Sequence, residues 1–524
     1  MCVTIPPVKA AYSKKAAEWR DHIVNAEVLA FVLYFVLMLA IGLYFFLASK
    51  KNSSEKEYFL GGRAMGPWVT AMSAQASDMS AWLLMGLPGS ILAFGLGQAW
   101  IGIGLAIGTS LNWIIVAKRL RKFSKASGDS ITLPQYLSNR FVSKNHTLSI
   151  LCAIVFLISF TIYVASSFVA GATVFTTLFP TLQEGTAMLI FAAIILIYTF
   201  LGGYKAVCWT DFFQGMLMLI ALLAMPIVIL ATGGLDTAAL DTVYVNLSDG
   251  TEYAFVINVF HASWQEIVSG LAWGLGYFGM PHILVRFMSI KKPSMVKKSA
   301  IVAIVWVIIS LGAAILIAYL GRMVLAEELL PGGMQKTVFI ALARKYFPVF
   351  LAGLLLSAII AASMSTADSQ LLVASSSFTS DLYKPLIRKQ ASEKELLWVG
   401  RAVVLAVAVV AYFIASSKGS GAQAIMNMVE NAWGLFGAAF GPVVILSLFW
   451  KRFTYRGAVT GVAVGAIVDI LWLLFLSGST GIYEILPGFI AGLICSVAAS
   501  LADKAPSAEV LTIYNRATDN SIDD

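Results

Sequence analysis

The sequence predicts an all-α integral membrane protein of about thirteen transmembrane helices, and three features lead there. Of its 524 residues 59% are apolar and only 12% are Asp, Glu, Lys or Arg, about half the charged share of an ordinary soluble domain. Apolar runs of about 20 residues recur from Val28 to Leu501, each long enough to cross a hydrocarbon core of roughly 30 Å. The runs lack the alternation of barrel strands, and backbone groups in lipid must be satisfied within their own segment, so helices are favoured.

The first run, 28–48, follows a polar arm, 1–27. It is too long for a signal-peptide core and has no cleavage-like flank, so it is expected to stay as a peripheral membrane helix. The runs that follow are 67–95, 98–117, 148–178, 187–201, 212–231, 264–285, 299–325, 347–378, 398–416, 423–449, 457–477 and 485–501, before a tail, 502–524. Lys118, Arg119, Arg121, Lys122 and Lys125 follow the third run, and Lys291, Lys292, Lys297 and Lys298 the seventh. The links carrying Lys384, Arg388, Lys389 and Lys394, and Lys451, Arg452 and Arg456, agree with them, which marks one cytoplasmic side. Residues 232–263 hold Asp236, Asp241, Asp249 and Glu252 but no Lys or Arg, and should face outward. The alternation puts the N-terminus outside and the C-terminus in the cytoplasm of a bacterial-type inner membrane, although Lys9, Lys14, Lys15 and Arg20 in the arm run against it.

The net charge of +8 is therefore a topology signal rather than a nucleic-acid footprint. Cys2, Cys152, Cys208 and Cys495 are scattered and form no metal-binding or disulfide spacing. No Ser or Cys pairs recognisably with His22, His146, His261 or His282, so the chain is not read as an enzyme. Fewer than about 25 residues follow the last run, too few for the signalling domain a sensor needs. A channel remains the nearest physical competitor to a transporter.

An odd number of helices between equivalent points reverses orientation, so runs two to six (67–231) and seven to eleven (264–449) are expected to form two inverted repeats. The pair 457–501 would then be peripheral. Such a plan demands that the first helix of each repeat be interrupted near mid-bilayer. Both are. Gly66-Pro67, Ala76-Ser77-Asp78-Met79-Ser80 and Gly86, Pro88, Gly89 punctuate one, and Gly270, Gly274, Gly276, Gly279 and Pro281 the other.

Asp78 lies inside an apolar run, where a charge costs roughly 2.5–3.5 kcal/mol on the lenient insertion scale. A bound cation, a broken-helix backbone or a neighbouring base would compensate it. Asp211, after Trp209-Thr210, is read either as functional or as a residue of the cytoplasmic interface, and Asp469 as a packing or lipid-headgroup feature. The stretch Ala361-Ala362-Ser363-Met364-Ser365-Thr366-Ala367-Asp368-Ser369 is dense in hydroxyls, the oxygen ligands a hard cation wants when it sheds water. Such hydroxyls also back-bond to their own helix. Facing the Ala76 and Met79 carbonyls of an interrupted helix, they favour the cation. Trp82, Tyr163, Trp273 and Tyr277 offer ring faces and polar tips in or beside the interrupted segments and in run four.

Gly61-Gly62-Arg63 through Gly66-Pro67 and Ser77-Asp78-Met79-Ser80-Ala81-Trp82-Leu83-Leu84-Met85-Gly86-Leu87-Pro88-Gly89 resemble the sodium/proline symporters of the sodium:solute symporter family. The similarity continues through Thr132-Leu133-Pro134, Phe160-Thr161-Ile162-Tyr163, Trp209-Thr210-Asp211, Trp273-Gly274-Leu275-Gly276-Tyr277-Phe278-Gly279, Pro281-His282-Ile283-Leu284, Met364-Ser365-Thr366 and Phe440-Gly441-Pro442-Val443, to Lys504-Ala505-Pro506-Ser507. It implies a LeuT-like five-plus-five core of the same thirteen helices, with sodium co-transported and L-proline as substrate. Another small amino acid or a betaine is the alternative substrate. The resemblance implies a sodium site of the Ala76, Met79 and Ala362 carbonyls with the Ser365 and Thr366 hydroxyls. It implies substrate contacts at Ser80, Trp82, Tyr163, Trp273, Tyr277 and Pro281, and coupling roles for Arg63, Asp78 and Asp211. Ala81 stands where well-known members have Gly, and Met280 where some have Gln, departures that bear on substrate choice.

Overall fold

The computed structural model describes residues 8–49, 54–418 and 422–519. Helices account for nearly all of it. Among the described residues the one paired-strand element is a two-residue antiparallel ladder, Tyr244–Val245 with Glu252–Tyr253, in the expected outer loop. The helices that position the site are α1 (Val8–Ser49), α2 (Pro67–Asp78), α3 (Gly86–Phe94), α4 (Ala99–Leu111), α5 (Thr147–Leu178), α6 (Glu184–Thr232), α7 (Trp264–Ala272) and α8 (Pro281–Ser289). They continue as α9 (Val296–Leu329), α10 (Val349–Ser377), α11 (Glu393–Lys418), α12 (Ala422–Phe449), α13 (Tyr455–Phe475), α14 (Ile485–Ala502) and α15 (Ala508–Thr518).

Ten helices among the described residues are long and apolar enough to cross a membrane, eleven when the bent pair α7 and α8 counts as one span. Two of the thirteen expected spans fall short of that length, on the pieces Ala81–Phe94 and Glu184–Ile197. The reason is local. The first belongs to a helix broken at Met79–Ser80, and the second ends before Gly203, whose φ of +58° and ψ of −178° only glycine adopts readily and which reorients α6. Two boundaries also move. The polar arm enters α1 from Val8, so a helix starts well ahead of residue 28. The basic stretch after the third run lies on a helix, Ala117–Ala126, rather than in a loop.

Burial separates core from periphery. Of the most apolar window, 78% is buried in the span containing α10 and 83% in that of α12, against 28% in α1 and 33% in each of α11, α13 and α14. The apolar residues left exposed on the outer helices, such as Val36, Phe413 and Leu474, are what lipid would cover. Polar interactions tie the basic links together at one end: Arg119 donates to the Leu448 carbonyl at 3.0 Å and Arg121 to that of Ile290 at 2.6 Å. The acidic loop gathers elsewhere, on Arg322, which donates to the carbonyls of Ala239, Leu92, Thr242 and Tyr253.

Both expected interruptions are present. α2 starts with Pro67 at a position needing no N–H donor and stops at Met79, whose φ of −84° and ψ of 77° leave the helix. Ser80 caps the short turn Ala81–Leu83 by accepting from the Trp82 N–H, and α3 resumes at Gly86. The partner break runs from α7 through a tight turn, Trp273–Phe278, to α8, which again opens on proline, Pro281. Its two arms are bent by 44°.

Candidate functional site

The hydroxyls of α10 sort into distinct jobs. Ser363 back-bonds to the Ile359 carbonyl of its own helix at 3.0 Å. Ser365 reaches across instead, donating at 2.8 Å to the Ala76 carbonyl at the end of α2, with the Ala362 carbonyl 3.2 Å away. Thr366 is buried and its hydroxyl has no hydrogen-bond partner. An unpartnered buried hydroxyl costs about 1–3 kcal/mol. Three groups of the expected cation set, Ala76, Ala362 and Ser365, thus meet directly at the break, with the orphaned Thr366 oxygen next along α10 and Met79 buried at the C-cap of α2. The donors are all uncharged oxygens, the chemistry of a hard monovalent cation.

Asp78, the last residue of α2, is buried and accepts the Tyr277 hydroxyl at 2.5 Å. One hydrogen bond therefore joins the two interrupted segments. The Tyr277 carbonyl is held in turn by the Asn112 amide at 2.9 Å. Around this link stands a wall of rings. Trp82 stacks on Trp273 at 5.7 Å between centroids, Trp273 on Trp433 at 6.3 Å, and Tyr277 meets Trp433 edge-on at 5.1 Å. The Trp433 indole donates to the Trp273 carbonyl at 2.8 Å, and Tyr483 packs 5.2 Å from Trp273. Tyr163 from α5 is buried with its hydroxyl toward Ser80. Gly276 is required where it stands, because a side chain there would overlap the Trp433 indole. The structure thus brings together Ser80, Trp82, Tyr163, Trp273 and Tyr277, with Pro281 opening α8 at the second break. Sequence reasoning missed Trp433 and Tyr483.

Arg63 and Asp211 lie apart from this centre. Gly61, Gly62 and Arg63 take φ values of +63°, +64° and +55°, turning the chain sharply before α2. The Arg63 guanidinium donates to Asp129 at 2.8 Å, Ser124 at 3.1 Å, the Ser130 carbonyl at 2.7 Å and the Met288 carbonyl at the end of α8. It pins both interrupted segments at the basic end of the bundle. Burial pushes the Asp129 carboxyl up, but Lys56 and Arg63 together outweigh it and hold that carboxyl below the usual range.

Asp211 is fully buried. Its Oδ2 accepts from Ser73 of α2 at 2.6 Å and from Arg286 of α8 at 3.1 Å. Arg286 also donates to Ser369 of α10 at 2.5 Å and to the His282 carbonyl at 2.8 Å. Asp368 interacts electrostatically with Asp211 and Arg286, and both its oxygens are buried without hydrogen-bond partners. Asp469, expected to serve packing or to meet lipid headgroups, is 1% exposed, which fits packing.

Two interrupted helices that meet between long apolar spans, with oxygen donors at one break and an aromatic wall at the other, follow the plan of a membrane transporter. The chain belongs to the sodium:solute symporter family, whose model matches residues 58–465. It is 43% identical over 482 residues to the sodium/proline symporter of Escherichia coli (strain K12), covering 91% of this chain and 93% of that one. It is 42% identical over 509 residues to sodium/proline symporter 2 of Staphylococcus saprophyticus, covering 94% and 95%. Among solved structures it resembles a Na+-coupled sialic acid symporter in a substrate-bound outward-open state, with a TM-score of 0.71 at 20% identity over 92% of this chain and 98% of that one. It also resembles Mhp1 facing inward, with a TM-score of 0.51 at 15% identity over 86% and 95%. Both neighbours have the LeuT-like transporter fold.

Proposed function

We propose that this chain couples inward movement of sodium to uptake of L-proline by alternating access. The observation that carries this reading is Ser365 of α10 held 2.8 Å from the Ala76 carbonyl at the break of α2, beside the orphaned Thr366 hydroxyl. The names of its relatives supply the solute and the ion. In this reading about thirteen helices cross the membrane, the broken pieces Ala81–Phe94 and Glu184–Ile197 included, and 67–231 and 264–449 form the inverted repeats. The N-terminus lies outside and the C-terminus inside a bacterial inner membrane, with 28–48 and 457–501 as peripheral spans.

Sodium accepts the carbonyls of Ala76, Met79 and Ala362 and the hydroxyls of Ser365 and Thr366, and so fastens α2 to α10. Asp78 supplies the negative charge nearby and, through Tyr277, passes the position of α2 to the second break. Proline lies with its ring on Trp82 and Trp273, bounded by Ser80, Tyr163, Tyr277 and Pro281, and its ammonium faces a ring or carbonyl. Sodium thus raises proline affinity, and by linkage proline raises sodium affinity by the same factor. Arg63 and Asp211 hold the interrupted segments to their neighbours while the bundle changes state.

Ser365→Ala and Thr366→Ala are each expected to raise the half-saturating sodium concentration about tenfold or more, since losing one oxygen ligand worth about 1.4 kcal/mol is a tenfold change. Ala76→Gly changes it far less, because that residue offers its carbonyl. Sodium-dependent uptake into vesicles is the measurement, and wild-type sodium curves in both hydroxyl variants reject the site. Trp273→Ala is expected to raise the half-saturating proline concentration roughly tenfold through the lost ring contact, with membrane insertion intact. Unchanged proline dependence returns Trp273 to a packing role.

A further inference from the structure

The ends of α12, α13 and α14 gather three carboxylates for which the transport reading has no use. Asp469 lies in α13, Glu484 immediately precedes α14, and Glu430 lies in α12. Asp469 and Glu484 are 1% and 3% exposed, and one oxygen of each, Oδ1 and Oε1, is buried without a hydrogen-bond partner. They converge over Gly434. A Cβ at that position would lie 3.2 Å from Asp469 Oδ1, 3.3 Å from the Tyr483 ring and 3.4 Å from Glu484 Cγ, so glycine keeps the space between them open. A cavity of about 400 Å³ reaches Glu484 and Tyr483, with Asp469 behind them, and is lined also by Ser269, Asn427, Glu430, Asn431 and Ser477. Among the described residues no lysine, arginine or histidine lines it.

Buried carboxylates without a base beside them must either hold protons or hold a cation, because an isolated buried charge costs several kcal/mol. The cavity favours the cation. Its lining sets the amides of Asn427 and Asn431, the hydroxyls of Ser269 and Ser477 and the carboxylates of Glu430 and Glu484 among Leu473, Ile482 and Tyr483, and it opens Glu484, beside Asp469, to ions from solution. The three acids do not meet at one point closely enough to ligate a single ion together. The arrangement therefore suits a partly hydrated ion between Asp469 and Glu484, with Glu430 nearer the mouth.

Tyr483 connects this place to the aromatic wall. Its hydroxyl donates to the Glu430 carbonyl at 2.7 Å while its ring packs 5.2 Å from Trp273. It also lies within electrostatic reach of Glu484, Glu430, Asp469 and Tyr163.

We propose that Asp469 and Glu484 form a second sodium site, separate from the one at Ala76 and Ser365 and resting on the sodium-coupled reading above. An ion there draws the two carboxylates together over Gly434 and fixes Tyr483 against Trp273, setting the aromatic wall before the solute arrives. Occupancy of this site lowers the sodium concentration needed at the first.

Equilibrium binding of radiolabelled sodium to the purified full chain in nanodiscs tests this, alongside sodium-driven proline uptake in vesicles. The paired variant Ser365→Ala/Thr366→Ala is expected to keep one class of sodium binding, and adding Asp469→Asn/Glu484→Gln to remove it. In the otherwise unchanged protein the amide pair is expected to retain uptake with a half-saturating sodium concentration raised roughly tenfold, equivalent to about 1.4 kcal/mol. Gly434→Ala, which keeps both acids and fills the gap, is expected to act in the same direction. Sodium binding equal to wild type in the amide pair and in Gly434→Ala overturns the second site and assigns the acids to protons. Loss of sodium dependence in the unaltered protein overturns the sodium-coupled reading itself, a result visible before any variant is made.

Discussion

Arg286→Met lowers the unfolding free energy of the purified protein by about 3–5 kcal/mol, the cost of leaving a buried charge without its partner. That is a large share of the roughly 5–15 kcal/mol by which proteins are stable. The size follows from where the pair sits. Arg286 and Asp211 have side-chain exposures of 1% and 0%, so water neither screens nor rescues the carboxylate that remains. The same guanidinium holds Ser73, Ser369 and the His282 carbonyl, so its removal frees α8 from α2, α6 and α10 together. Asp211→Asn should do less harm, because Asp368 also interacts electrostatically with Arg286. The double variant Arg286→Met/Asp211→Asn should recover part of the loss, since removing both members of a buried pair strands neither. Thermal unfolding in detergent measures all three, and a single Arg286→Met variant that melts with wild type removes the pair from the structural core.

This network marks the limit of what the sequence disclosed. The two interruptions were legible because their causes are local: Ser80, Gly86 and Pro281 each act on the backbone within a turn of themselves. The interest of Ser365 and Thr366 was visible for a related reason, since several hydroxyls in one apolar run exceed what self-bonding requires, and Ser365 does reach across to the Ala76 carbonyl. Arg286 was not read because it stands one residue past the end of run seven, where it passed for a flanking charge; α8 continues to Ser289 and buries it. A charge flanked by Val285 and Phe287 was the available signal. Trp433 lies 160 residues from its partner Trp273, and nothing near it in the chain announces the contact. Asp469 was left between packing and a lipid-headgroup role because nothing near it in the chain shows that its side chain turns inward to Gly434. Periodicity and composition report which segments cross the membrane; they say little about which faces of those segments meet.

Sealed vesicles holding the protein should accumulate proline several hundredfold under a tenfold inward sodium gradient and an inside-negative potential of about 100 mV. The magnitude comes from the ion alone. One sodium moving inward gains about 2.3 kcal/mol from that potential and about 1.4 kcal/mol from the tenfold gradient. With one sodium carried per neutral, zwitterionic proline, about 3.7 kcal/mol is available to concentrate the solute, and each 1.4 kcal/mol is tenfold. Collapsing the potential leaves about tenfold accumulation, and collapsing the sodium gradient leaves about fiftyfold. A coupled pair of sodium sites changes this arithmetic sharply: if the ion at Asp469 and Glu484 also crosses with each proline, the ceiling is squared, whereas an ion that stays bound there leaves it unchanged. The measurement is steady-state internal proline, with and without a potassium diffusion potential. Accumulation that persists in sodium-free buffer under a proton gradient defeats the sodium assignment, and equilibration under every condition defeats symport, because a channel can only level the two sides.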